Sequence, residues 1–216
     1  MNYLPGFLIK YEVSVILTVY NRELYLQRSI DSLVNQNFSN WELIAIDDGS
    51  TDNSLNVLRE YEMKFPNIKI LRQENRGIAP SRNRGIFLSS GKYITFLDSD
   101  DEYESSHLIK RISFLNDHPE IDLLFGGVKI IGNQFVRDKD NPQKFIHLSN
   151  CFIGGTFFGK RKVFIELSGF KDLVYSEDSD FIIRAENKFK IQKFDLPTYI
   201  YHRELSDSLT NNYVPQ

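Results

Sequence analysis

Along the first 120 or so residues, the hydrophobic pattern alternates between two periods. Apolar residues run almost without interruption through "EVSVILTVY", as expected for a strand buried on both faces. They then recur as Leu26, Ile30, Leu33 and Val34, which share one face of a helix. The unit repeats. "WELIAIDDGSTDNS" predicts a second strand that stops at paired aspartates, a turn at Gly49, and a Ser/Thr/Asp cluster suited to cap a helix carrying Leu55, Leu58 and Phe65. "NIKILRQ" reads as a third strand, "APSRNRGIFLSSG" as a short helix with Pro80 near its first turn and Gly91 past its end, and "KYITFL" as a fourth strand. Ser105 or Ser106 is then placed to cap a helix with Leu108, Ile109, Ile112 and Leu115 inward, terminated by His118 and Pro119.

Strands alternating with amphipathic helices predict an α/β fold, a mostly parallel sheet with helices on both faces. In such sheets ligands bind beyond the carboxyl ends of the strands. Thr18 and Tyr20, Asp47 and Asp48, and Asp98 and Asp100 all fall at strand ends, so they are expected to converge on one crevice. After about residue 121 the pattern loosens. "IDLLFGGVKIIG" and "CFIGGTFFG" read as strands, "RKVFIEL" and "SDFIIRAEN" as short helices, and "KIQKFD" and "TYIYHRE" as late strands. No linker, repeat or low-complexity tract divides the chain, so one domain over residues 1–216 is expected.

Composition narrows the function. A chain of 216 residues with 41% hydrophobic residues can bury a sizeable core, and a net charge of -3 with scattered basic residues argues against a nucleic-acid partner. The single cysteine, Cys151, excludes a disulfide framework and a Cys-rich zinc site; it reads as a small core residue in a reducing, cytoplasmic compartment. No apolar run approaches the roughly 20 residues needed to span a bilayer, and the start "MNYLPGFLIKYE" lacks the pattern of a leader.

The chemistry concentrates at "KYITFLDSDDEY". Like charges packed at the end of a buried strand repel and raise one another's pKa, so a positive partner is expected between them, usually a metal ion. Asp98 and Asp100 suit a divalent cation that also holds phosphate oxygens; for Asp101 and Glu102 a solvated position at the start of the next helix is the simpler expectation. Asp47 and Asp48 follow "LIAI", where a carboxylate could accept the N3–H of uracil or thymine, although "DDGSTD" is also good turn chemistry. Tyr20 could stack on a base with Thr18 beside it, or both could simply end a strand. Arg82 and Arg76 are candidate partners of a pyrophosphate, or lone surface arginines. "SEDSD" places Glu177, Asp178 and Asp180 ahead of an apolar helix, as acid/base candidates or as a capping cluster best suited to Ser179 or Asp180. His107, His118 and His147 read as helix-surface or loop residues.

Four stretches in order, "VSVILTVYNRELYLQRSIDSLVNQNFSNWELIAIDDGSTDNS", "NRGIAPSRNRG", "GKYITFLDSDD" and "SEDSDFIIR", resemble the successive motifs of the family 2 glycosyltransferases, inverting enzymes of the GT-A fold. The likeness covers roughly residues 13 to 202, nearly the entire chain. It implies a nucleotide-binding half over about 13–120 and an acceptor and base half over about 121–216. The donor implied is a UDP-sugar and the acceptor a glycan or lipid-linked saccharide, with peripheral association at the inner face of the membrane. By the same resemblance Asp100 coordinates Mn²⁺ or Mg²⁺ directly and Asp98 lies near the ribose or a metal-bound water, with Ser99 between them on the donor side. Asp48 reads the base, Asp178 is the general base, and His202 joins Asp98 and Asp100 near the metal. Two rivals share some of these residues. A haloacid-dehalogenase-type phosphatase would use Asp98 and Asp100, although its motif belongs on a first strand rather than a fourth, and a binding protein would retain donor affinity without turnover.

Overall fold

The computed structural model describes residues 10–138, 141, 143–173 and 176–204. The expectation of no leader at residues 1–9 lies outside them. In chain order the elements are β1 (Tyr11–Val19), α1 (Glu23–Val34), β2 (Trp41–Asp47), α2 (Ser54–Lys64), β3 (Ile68–Arg72), α3 (Ile78–Leu88), β4 (Gly91–Asp98), β5 (Glu102–Tyr103) and α4 (His107–Asp117). There follow β6 (Leu123–Phe125), β7 (Val128–Gly132), β8 (Phe135–Arg137), β9 (Phe145–His147), β10 (Phe158–Lys160), α5 (Arg161–Glu166), α6 (Glu177–Glu186), β11 (Ile191–Lys193) and β12 (Tyr199–Arg203).

A central sheet has the strand order β11-β6-β10-β4-β1-β2-β3. Strands β1 to β4 run parallel, and β10 is antiparallel to both of its neighbours. The continuous apolar runs explain why β1 and β4 lie at its centre, since a parallel strand is covered on both faces. Alternate side chains enter separate cores. Val15, Leu17 and Tyr93 join Leu26, Ile30 and Leu33 of α1 on one face, whereas Ile16, Ile94 and Phe96 join Ile86, Phe164 and Phe181 on the other. Because β2 flanks β1 on one side and β4 on the other, the connections diverge at the carboxyl ends of β1 and β4. This is where a crevice opens in such sheets.

Several local expectations are corrected. "IDLLFGGVKIIG" is two strands in different sheets. Gly126 and Gly127, with φ of 83° and 71°, turn the chain out of the central sheet into a small sheet ordered β5-β12-β7. "CFIGGTFFG" forms a strand only from Phe158; before it, Gly154–Thr156 is a 3₁₀ turn in which the Thr156 N–H and hydroxyl both donate to the Ile153 carbonyl. On α4, Ile109 points outward, and the buried stripe is His107, Leu108, Arg111, Ile112 and Leu115. His107 is thus no surface residue: it stacks on Tyr103 at 3.9 Å and lies 3.0 Å from the Thr198 hydroxyl. Neither Ser105 nor Ser106 caps this helix through its side chain; Gln36, just past the end of α1, does so by accepting the Leu108 N–H. His147 ends strand β9, and Cys151 is half-buried in a turn rather than in the core. No helix among the described residues is long and apolar enough to cross a membrane.

Candidate active site

Register aligns the first candidates. Thr18 on β1 pairs directly with Asp98 on β4, and the next residue of β1, Val19, pairs with Asp47 on β2. Tyr20 follows with its side chain about half exposed, at 47%. Asn21, which the sequence reading missed, adopts a left-handed φ of 52° and accepts the Thr51 N–H through its side chain, tying the end of β1 to the turn after β2.

Asp47 and Asp48 are both buried and do different work. Oδ1 of Asp47 accepts the Ser50 N–H, and Oδ2 lies 3.4 Å from Arg72 Nε. Asp48 instead organises the segment leading into α3. Its Oδ1 accepts from Gln73 Nε2 at 2.7 Å and from the Arg76 N–H at 3.0 Å, and its Oδ2 from the Gly77 N–H at 2.8 Å. Gly77 has a φ of 90°, which glycine alone adopts cheaply. The Arg76 side chain lines an adjoining cavity of about 430 Å³ with Gln73, Glu74, Pro80 and Arg84.

At the end of β4 the acidic cluster meets cations supplied by the chain itself. Asp98 Oδ1 lies 3.0 Å from Arg82 Nη2, Asp100 Oδ2 lies 3.7 Å from Arg22 Nε, and Arg28 donates to the Asp100 carbonyl. Ser99 between them is buried. Asp101 overturns its expected place as a solvated acid. It is fully buried and accepts the Tyr199 hydroxyl at 2.7 Å and the His202 N–H at 2.9 Å. Burial pushes its carboxyl well above the usual carboxylate range, and the charges of Asp98 and Asp100 add to that. Glu102 is also engaged, 3.3 Å from Arg28 Nε.

The expected grouping of His202 with Asp98 and Asp100 is not formed. Its ring nitrogens face Glu102 at 2.7 Å and Glu204 at 2.6 Å, because β12 is fastened to β5 and β7 with that ring turned toward the Glu102 side. Among the described residues no cluster of three or more His, Cys, Asp or Glu side chains is arranged to hold a metal ion. Asp98 and Asp100 alone still fit a hard divalent cation of the kind that takes one or two protein carboxylates and completes its shell with phosphate oxygens and water.

Across the crevice, "SEDSD" opens α6. Asp180 is no cap: it pairs with Lys171 at 2.8 Å and Arg184 at 2.7 Å. Asp178 turns toward Arg82, whose side chain is 3% exposed and whose guanidinium lies beside the rings of Phe96 and Phe170, 5.6 and 5.3 Å from their centroids. Arg82 Nη1 is 3.0 Å from Asp178 Oδ1 and 3.5 Å from Glu177 Oε1, while Nη2 holds Asp98. Burial opposes the arginine's charge, but Asp98, Asp178 and Glu177 outweigh it and hold the group firmly protonated. Asp178 Oδ2 accepts the Gly154 N–H at 2.8 Å. Burial pushes the Asp178 carboxyl up to about 7; Arg82 and the Gly154 N–H pull against this, while the charges of Glu177 and Asp98 add to it. Arg82 is therefore a buried bridge between two carboxylates rather than a lone surface residue. Tyr199 carries no signal of a site residue in the sequence beyond its place in a late strand, whereas Gly154 lies in "IGGTFFG", whose glycines read either as letting backbone approach an acceptor sugar closely or as part of a strand or bulge.

A mostly parallel sheet with carboxylates gathered where its central strands end defines a GT-A-type architecture. Residues 14–170 match the model described as glycosyl transferase family 2, and the chain belongs to that family of inverting transferases. The match spans the strand that ends at Asp98 and the turn carrying Asp100, which removes the case for a phosphatase. Among relatives, the minor teichoic acid biosynthesis protein GgaB of Bacillus subtilis is 39% identical over 118 residues, 53% of this chain and 13% of its own length. WfgD of Escherichia coli, named as a UDP-Glc:α-D-GlcNAc-diphosphoundecaprenol β-1,3-glucosyltransferase, is 37% identical over 149 residues, 67% of this chain and 58% of its own. This chain thus spans only part of both. The crystal structure of S. aureus TarS 1-349 in complex with UDP-GlcNAc shares the fold with a TM-score of 0.76 at 22% identity, covering 94% of this chain and 62% of that one.

Proposed function

We propose that this protein transfers a sugar from a UDP-sugar to a hydroxyl of a glycan or lipid-linked acceptor, with inversion at the anomeric carbon. The observation that carries this reading is the sharing of buried Arg82 between Asp98, at the end of a central strand, and Asp178, at the start of α6. Donor-side and acceptor-side carboxylates thereby face one another across a single guanidinium. Residues 13–120 form the donor half in this reading and residues 121–216 the acceptor and base half.

On the donor side, a carboxylate offers about four lone-pair sites, and Asp48 uses three of them on its loop. The remaining site takes the uracil N3–H, with Tyr20 stacked on the base, Thr18 and Asp47 beside it, and Arg76 and Ser99 lining the donor. Arg82 contributes fixed positive charge near the pyrophosphate. Mn²⁺ or Mg²⁺ held by Asp98 and Asp100 would neutralise charge developing on the leaving diphosphate. Asp178 takes the acceptor hydroxyl's proton as that oxygen attacks the anomeric carbon from the face opposite the diphosphate. The bond from that carbon to the phosphate oxygen breaks, and its electrons leave with UDP. No covalent nucleophile is needed, and an α-linked donor gives a β-linked product. A carboxylate poised at about 7 suits a general base at neutral pH.

The UDP-GlcNAc bound to TarS and the donor and acceptor in the name of WfgD support this choice of substrates. A lipid-linked acceptor would bring the protein to the inner face of the membrane as a peripheral partner. Thermal unfolding with UDP, CDP and GDP, each with and without Mn²⁺, tests the reading, because ligands that bind the folded state raise its apparent stability. UDP with Mn²⁺ should raise Tm most. No rise with any nucleoside diphosphate would overturn the proposal.

A further inference from the structure

Arg111 has no part in the chemistry above, yet it is one of the largest fully buried side chains in the protein. Its guanidinium meets backbone carbonyls: Nη1 donates to Thr156 at 3.1 Å and Nη2 to Gly126 at 2.7 Å, while its face lies 4.8 Å from the Phe194 ring centroid. Burial pulls it down to about 10. Burying a cation is costly unless its donors are hydrogen-bonded, and here two backbone carbonyls supply those bonds.

The held backbone is the turn that touches Asp178. Thr156 Oγ1 donates to the Ile153 carbonyl at 2.6 Å and accepts the Gly126 N–H at 2.9 Å. Arg111 and Thr156 thus lock the Gly154–Thr156 turn against the chain at Gly126. The turn's two glycines each permit a close approach. A Cβ on Gly154 would collide with Asp178 Oδ1 and lie 2.8 Å from Arg82 Nη1. One on Gly155 would collide with the Tyr199 hydroxyl and lie 2.8 Å from its Cε2. Hence only glycine allows the Gly154 N–H to reach Asp178 Oδ2 while Arg82 holds Oδ1.

We propose that Arg111, Thr156 and Gly154 are positioning residues for the general base: Arg111 and Thr156 fix the turn, and the Gly154 N–H fixes the carboxylate of Asp178 against Arg82. This rests on the reading of Asp178 as the base. Constraining both carboxylate oxygens sets which lone pair faces the acceptor hydroxyl, and small displacements of a base cost turnover rather than donor binding.

The test uses the full chain. Turnover is read as UDP release with water as acceptor, from whichever of a panel of UDP-sugars the parent hydrolyses fastest, and UDP affinity is measured by calorimetry with Mn²⁺. Gly154→Ala should lower kcat by about tenfold or more, with UDP affinity within about twofold of the parent. Parental kcat overturns the proposal, as does a loss of UDP affinity equal to the loss of kcat, which would mean that the turn supports the whole site. Should Gly154→Ala fail to fold, Thr156→Val and Thr156→Ser decide. Valine should lower kcat with UDP affinity retained and serine should restore it; parental kcat in the valine variant overturns the proposal. Asp178→Asn separates the two readings. If it turns over like the parent, the base assignment fails and the positioning role with it. If it is inactive while Gly154→Ala is parental, only the positioning role fails.

Discussion

The Tyr199 hydroxyl donates to the carboxylate of Asp101 at 2.7 Å, joining β12 to the acidic turn after β4. The same hydroxyl lies 3.3 Å from Asp98 Oδ2, so one phenol sits between a structural acid and a candidate donor-site acid. Tyr199→Phe leaves Asp101 with only the His202 N–H of these two donors and should destabilise the fold by about 1–3 kcal/mol, the usual cost of stranding a buried polar group. Urea unfolding with an unchanged slope measures it. A midpoint equal to the parent's would show that this bond contributes nothing to the fold.

Asp178→Asn preserves shape and removes the base. Transfer should fall by roughly 10² to 10⁴ while UDP affinity stays near the parent's. The pH profile gives an independent check. With its carboxyl at about 7, Asp178 is protonated and inactive below that pH and ionised above it. The charges facing it are Arg82 from α3, Glu177 from α6 and Asp98 from β4, of which Arg82 keeps its charge throughout. Accordingly kcat/KM should rise with pH through about 7 and level off, and a profile flat from pH 5 to 8 would remove Asp178 from the mechanism.

Donor choice should depend on Asp48. If its free lone pair accepts the uracil N3–H, calorimetry will show UDP binding more tightly than CDP, by about 1.5–3 kcal/mol for a hydrogen bond to a charged group. Asp48→Ala should narrow that gap. It should also weaken both nucleotides, since the Gln73–Gly77 segment loses its anchor. Equal affinities in the parent would reject the assignment.

Asp100→Ala should abolish the Mn²⁺-dependent part of UDP binding without unfolding the protein, because it removes one acid from a cluster of like charges. His202→Ala should leave that part within a few fold, as its ring faces Glu102 and Glu204 instead of Asp100. Titrating Mn²⁺ at fixed UDP separates the two, and unchanged metal dependence in Asp100→Ala would rule out its role as a ligand.

The sequence by itself determined the parallel half of the protein. The continuous apolar runs of β1, β2 and β4 can be buried only in a sheet covered on both faces, and the polar residues that end those runs therefore gather at one edge, Thr18 level with Asp98 and Asp47 one position further on beside Val19. These are local properties of period and composition. Tertiary structure decided everything that depends on partners distant along the chain. Arg82 and Asp178 meet across 96 residues, and Tyr199 and Asp101 across 98, so neither hydrophobic period nor propensity carries their pairing. The acidic turn looked solvated because its residues are polar, yet Asp101 is buried by a strand from the far end of the chain. His107 and Arg111 were invisible for the same reason. A helical pattern marks the apolar stripe, but whether the polar residues bordering it are buried depends on what packs there, here Tyr103, Thr198 and the turn at Thr156.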